Sequence, residues 1–164
     1  MKDGKPDNNN IGNTGEYFIA SILSSKGYIT TITLGRAEAY DIIAIRPDGK
    51  TIKIQVKTAW YDNKIFRLSP KDAEERNLEY FYAFVTLKEN KSPWEYYIVP
   101  AEIVSKHVGE GHNIWLNSLG KKGQKHNDSL VRTFSSKIGK CSPKWFTQEL
   151  VDSFKNNIHA LEKD

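Results

Sequence analysis

Two kinds of apolar spacing alternate along the 164-residue chain. Ile19, Ile22 and Leu23, with Phe18 beside them, recur at helical spacing up to Gly27. They predict a first helix capped by Asn13 or Thr14, after a polar, flexible leader over residues 1–12. A β-branched run over 28–34 predicts a strand, and 35–40 a loop. Ile42-Ile43-Ala44-Ile45 is almost wholly apolar, as in a strand buried on both faces. Thr51–Lys57 alternates strictly: Ile52, Ile54 and Val56 share one face, and Thr51, Lys53, Gln55 and Lys57 the other. Further strands are predicted at 65–68, 80–87 and 95–99. A short helix opens at Ser69-Pro70-Lys71-Asp72, with Ser as cap and Pro in the first turn, and another begins within 100–108. Ser142-Pro143 starts a last helix carrying Phe146, Leu150, Val151, Phe154, Ile158 and Leu161 as an apolar stripe. This order predicts a mixed β-sheet flanked by helices, of the α/β class bordering on α+β.

The turn between the two central strands sets their register. Pro47 and Asp48 suit the central positions of a type I turn, and Gly49 the left-handed position of a bulge. A three-residue loop pairs Arg46 with Lys50 and brings Asp41 across from Gln55, with Lys57 one diagonal step along the same face. A loop one residue shorter or longer would set Asp41 opposite Val56 and scatter the polar residues over both faces.

Composition narrows the class. The chain is long enough for one domain over 13–164, and 27% charged with 12% aromatic residues is globular usage. One cysteine, Cys141, excludes an internal disulfide and a multi-cysteine zinc site, which fits a cytoplasmic setting. No apolar run reaches the roughly 20 residues of a membrane span. A net charge of +4 permits a nucleic-acid partner. From about residue 109 the texture changes to a basic C-terminal extension. Between Gly120 and Lys144 seven Lys or Arg stand against one acid, Asp128. Lys121, Lys122, Lys125, Arg132 and Lys137 are therefore candidates for phosphate contacts, although such a tract is equally a solvated loop. Gly120-Lys121-Lys122-Gly123 lacks the glycine spacing of a P-loop. His107, His112 and His126 lack tight ligand spacing. Trp94, Trp115, Tyr96 and Tyr97 suit either base stacking or a core.

Glu16 has two readings. Asn13–Glu16 fits a capping box, in which Glu16 bonds back to the Asn13 backbone. Alternatively, Glu16 faces the same interior as Ile19 and Leu23 and joins Asp41 and Gln55. Two carboxylates and an amide oxygen suit Mg²⁺, with Mn²⁺ as a substitute. A lysine two residues from Gln55 on the same face could orient a metal-bound water or neutralise a phosphodiester transition state. The competing reading is a polar strand face without chemistry.

Gly15-Glu16 on an opening helix, Gly27-Tyr28 after it, Asp41-Ile42-Ile43-Ala44 and Ile54-Gln55-Val56-Lys57 resemble the PD-(D/E)XK nuclease superfamily. Order and spacing are most similar to the archaeal-type Holliday-junction resolvases and the Mrr-like enzymes. The resemblance implies a restriction-endonuclease-like fold and Mg²⁺-dependent endonucleolytic cleavage of DNA. Asp41, Glu16 and Gln55 would be metal ligands and Lys57 the catalytic lysine. Because one such site cuts one strand, it also implies a homodimer. Gln55 stands where glutamate is commonest, as in a Gln-x-Lys variant. The loss of one negative charge keeps open a catalytically inactive DNA-binding or accessory protein on the same fold.

Overall fold

A computed structural model describes residues 5–33, 40–60, 63–74, 78–88 and 93–162. Its elements are α1 (Asn8–Ser25), β1 (Ile29–Ile32), β2 (Ile42–Ile45), β3 (Thr51–Trp60), β4 (Ile65–Leu68), a 3-10 helix (Pro70–Ala73), β5 (Tyr80–Leu87), β6 (Glu95–Pro100), α2 (Ala101–Leu116), β7 (Arg132–Ser135), α3 (Gln148–Ser153) and a second 3-10 helix (Ile158–Leu161). Five strands form a mixed sheet in the order β1-β2-β3-β5-β6, and β4 pairs with β7 in a separate two-stranded sheet. β3 and β5 are parallel and the other neighbours antiparallel. The expected mixed sheet flanked by helices is thus present. Most of the predicted loop over 35–40 lies outside the described residues.

The first helix begins earlier than its apolar spacing predicts. Asp7, not Asn13 or Thr14, is the cap, its Oδ1 accepting from the Asn10 amide at 2.9 Å. Residues 8–12 are helical rather than leader, and Ile11 is buried. Glu16 therefore sits two turns inside the helix, where no orphan amide calls for a capping box. The helix ends as predicted. Gly27 takes φ +85°, its amide reaches Ser24 and the Tyr28 amide reaches Leu23, the paired bonds of a Schellman stop.

The hairpin has the predicted loop. Arg46 N–H reaches Lys50 C=O at 2.8 Å, Gly49 N–H reaches Arg46 C=O at 2.9 Å, and Gly49 has φ +88°. Ile45 consequently pairs with Thr51 and Ile42 with Ile54, which brings Asp41 opposite Gln55 at the fork where β2 leaves β3.

The chain's second half departs further. α2 runs through Gly109 and Gly111 to Leu116, so the change of texture at 109 does not end the helix. The final apolar stripe is not one helix: α3 is six residues long, and Asn156 adopts φ +49°. Phe146, Val151, Phe154, Ile158 and Leu161 are all buried nonetheless. The break lets the chain run along the edge of β6, where Asn156 N–H bonds Tyr96 C=O at 2.7 Å and Lys155 lies opposite Tyr97. That backbone pairing outweighs continuation of a short helix.

The layers fix where polar groups emerge. α1 packs on the face of β3 that carries Val56 and Thr58, at Gly15. A Cβ there would stand 2.0 Å from Thr58 Oγ1. The opposite face carries Gln55 and Lys57. In register with them on β5 are Tyr82 and Phe84, and Phe84 stacks on Phe134 of β7 at 3.9 Å. The small β4–β7 sheet and α2 thus cover that face beyond Lys57.

Candidate active site

Asp41 is the hub. It lies just ahead of β2, where its backbone still holds the ladder through Asp41 N–H to Ile54 C=O at 2.9 Å. Its Oδ2 accepts the Val56 amide at 2.7 Å and the Gln55 Nε2 at 2.5 Å. With Nε2 given to Asp41, Oε1 is the Gln55 atom left for another partner. Burial pushes the Asp41 carboxyl above its usual range, and the Val56 amide and Lys57 charge only partly offset this.

Glu16 reaches the same place from the helix on the other face. Its carboxyl is also raised, by burial and by the negative charge of Asp41. The close seat of Gly15 on Thr58 brings that turn of α1 down to β3. Four half-buried side chains predicted from sequence are therefore brought together: Glu16 and Asp41 repel, Gln55 is bonded to Asp41, and Lys57 acts on Asp41 through its charge. Tyr40, ahead of the aspartate, has its ring under Lys53 Nζ at 5.1 Å.

One participant is not evident in the sequence pattern. Asp72, on the 3-10 helix, is buried, and Lys57 lies within electrostatic reach of it. Tyr82 Oη donates to Asp72 Oδ1 at 2.6 Å, and Ser69 N–H and Oγ–H donate to Oδ2 at 2.7 and 2.8 Å. Burial alone would raise this carboxyl. The bonds from Tyr82 and Ser69, with the Lys57 charge, outweigh burial and hold it below the ordinary carboxylate range. Lys57 thus acts through its charge on two carboxylates. The Ser-Pro-x-Asp signature reveals the cap, while only the fold reveals that Asp72 faces the site.

Among the described residues no three His, Cys, Asp or Glu side chains gather into a metal-holding group. The donor set is two carboxylates and one amide oxygen. It is all oxygen, which suits a hard divalent cation, and the mutual repulsion of Glu16 and Asp41 is what such a cation relieves.

The basic tract is dispersed. Lys121, Lys122, Lys125 and Lys137 are exposed, the first three on or beside a turn built on Gly123 at φ +78°. Arg132 has only 13% of its side chain exposed, and its Nη1 donates to Ser129 C=O at 2.5 Å. The histidines have separate partners. His107 lies against Phe146, His112 meets Asp128 at 2.8 Å, and His126 stacks on Trp115. Trp94 and Tyr96 pack on Phe18, and Tyr97 is buried, so these three belong to the core.

The model of the PD-(D/E)XK endonuclease family matches residues 7–129, which include Glu16, Asp41, Gln55 and Lys57 and stop short of Arg132 and Lys137. Among solved structures, the chain is similar to a bacterial homing endonuclease at 18% identity and TM-score 0.44, over 62% of this chain and 74% of that one. It is also similar to Hjc, a Holliday junction resolvase of Archaeoglobus fulgidus, at 12% identity and TM-score 0.44, over 76% of this chain and 83% of that one. No curated protein matches.

Proposed function

The chain belongs to the PD-(D/E)XK endonuclease family, and on that premise we propose that it hydrolyses phosphodiester bonds in DNA with Mg²⁺, Mn²⁺ serving as a substitute. Asp41, Glu16 and the Gln55 Oε1 would hold the cation, which supplies Lewis acidity and lowers the pKa of water. Lys57 carries the positive charge that meets the phosphoryl oxygens as negative charge builds on them. Asp41 and Asp72 both lie within electrostatic reach of that ammonium. Lys121, Lys122, Lys125 and Lys137 are the proposed contacts to the DNA backbone. Arg132 is a weaker one, because its guanidinium is already held by Ser129. Two copies, each cutting one strand, would cleave a duplex or a branch.

One observation carries the reading. Asp41 joins Gln55 and the Val56 amide at the strand fork while its charge and that of Glu16 oppose each other. The experiment is cleavage of plasmid and branched DNA with Mg²⁺, comparing wild type with Asp41→Ala and Lys57→Ala. Each substitution is expected to lower the rate by about 100-fold or more. Equal cleavage by all three proteins overturns the assignment.

A second reading has its own support. With Gln55 in place of a carboxylate, the set holds two negative charges, which favours an inactive DNA-binding protein. Titration calorimetry with Mn²⁺ separates the two. Absence of metal binding in a protein that still binds DNA selects the second.

A further inference from the structure

Away from Asp41, one carboxylate gathers three lysines. Glu95, at the start of β6, has its side chain 14% exposed. It meets Lys64 Nζ at 2.6 Å, Lys155 Nζ at 2.8 Å and Lys88 Nζ at 2.9 Å. The lysines come from three places: the residue before β4, the residue after β5, and the strand-edge segment beyond α3. One carboxylate neutralises one ammonium, so the cluster keeps surplus positive charge. Its ammonium groups repel one another at close range. An ion pair made only for stability needs one lysine.

A cleft of about 400 Å³ opens beside the cluster, lined among others by Lys64, Tyr97, Ser136, Lys137 and Lys155. Asp152 also lines it, with its Oδ1 accepting from Gln148 at 2.9 Å. The charged groups around cleft and cluster are four ammoniums against the carboxylates of Glu95 and Asp152. Ser136 is 2% exposed, and its hydroxyl has no hydrogen-bond partner. A buried orphan hydroxyl is costly without a partner.

We infer that this cleft is a phosphate-binding site, with Lys64, Lys155 and Lys137 supplying charge-assisted donors and Glu95 holding the first two in place. Its ligand is a phosphate group of the DNA backbone, a commitment that rests on the proposed nuclease function. Ser136, Lys137 and Lys155 lie beyond the matched residues 7–129, so the site joins Lys64 and Glu95 of the family-matched part to the chain's C-terminal segment. Glu95 pairs with Thr86 in the same sheet that carries Lys57, so the site holds a phosphate at a fixed offset from the reacting one.

Two titrations without divalent metal test the inference. In the first, inorganic phosphate is added at constant ionic strength and thermal melting followed. The wild type is expected to gain stability, Lys155→Ala and Lys64→Ala to gain none, and Lys155→Arg to behave as wild type. In the second, duplex DNA affinity is measured against salt. Each alanine variant is expected to bind several-fold more weakly, with a slope shallower by about one. Variants that melt normally yet match wild type in both titrations overturn the site. If phosphate stabilises the wild type but not the variants while wild type binds no DNA, the cradle stands for a free phosphate-bearing ligand and the nuclease reading falls. Loss of cleavage in Asp41→Ala leaves both titrations unchanged, so the two claims fail separately.

Discussion

The clusters around Asp41 and Glu95 hold carboxylates in opposite electrostatic states. Burial raises both Glu16 and Asp41, and the negative charge of Asp41 raises Glu16 further, while the Val56 amide and the Lys57 charge offset only part of the rise at Asp41. Around Glu95 burial also acts upward, but bonds from Lys155, Lys64 and Lys88 overwhelm it and hold the carboxyl at about 2. The first cluster is short of positive charge and the second has an excess. A protein whose ion pairs served stability alone would even these out. Keeping them apart leaves one site suited to a cation and the other to an anion, which is the division of labour a phosphodiesterase needs.

The contrast can be broken in order of expected effect. The largest is on chemistry: Asp41→Ala removes the hub and should abolish detectable plasmid nicking, while calorimetric DNA binding persists. Next comes Gly15→Ala. A methyl group 2.0 Å from Thr58 Oγ1 must push α1 off β3. Overpacking of this kind costs about 1–3 kcal/mol, seen as a lower melting temperature, and carries Glu16 away from Asp41, so cleavage should fall with it. Unchanged melting would show that the helix seat is not tight.

Gln55→Glu sharpens the comparison instead. A third carboxylate beside Asp41 deepens the shortage of positive charge, so the metal-free protein should melt lower and Mn²⁺ should bind about tenfold tighter, roughly 1.4 kcal/mol. Calorimetric affinity equal to wild type would mean that residue 55 does not face the cation.

The smallest effect is at Glu95. Its carboxyl is lowered from 4.5 to about 2 in the folded protein, so the stabilisation it provides is complete above about 4.5 and drains as pH falls toward 2. Glu95→Gln should cost about 1 kcal/mol at neutral pH, by urea unfolding, and the gap to wild type should close through that acid window. A gap independent of pH would assign the loss to packing.

Near Asp41 the sequence was legible because its determinants are local. Alternation from Ile52 to Val56 specified the faces, and Pro47-Asp48-Gly49 specified the loop length, so the register followed from one turn. Glu16 was legible in its inward face but not in its setting. The helix start depends on Asp7, whose capping competes with that of Asn13 and Thr14 and wins because it lets Ile11 reach the core. The final stripe of apolar residues gave the correct buried set except for the half-buried Leu150, and the wrong element. Its period does not record that Asn156 would leave the helix to pair with Tyr96.

What the chain determined by itself about Asp41, Gln55 and Lys57 was their common face and their order along it, since a period of two and a fixed loop leave no freedom. Tertiary structure decided what surrounds them. The seat of Gly15 on Thr58 delivers Glu16, the 3-10 helix sets Asp72 within electrostatic reach of Lys57, and three distant segments bring lysines to Glu95. Those meetings join residues far apart in sequence, and only the packing of the layers brings them together.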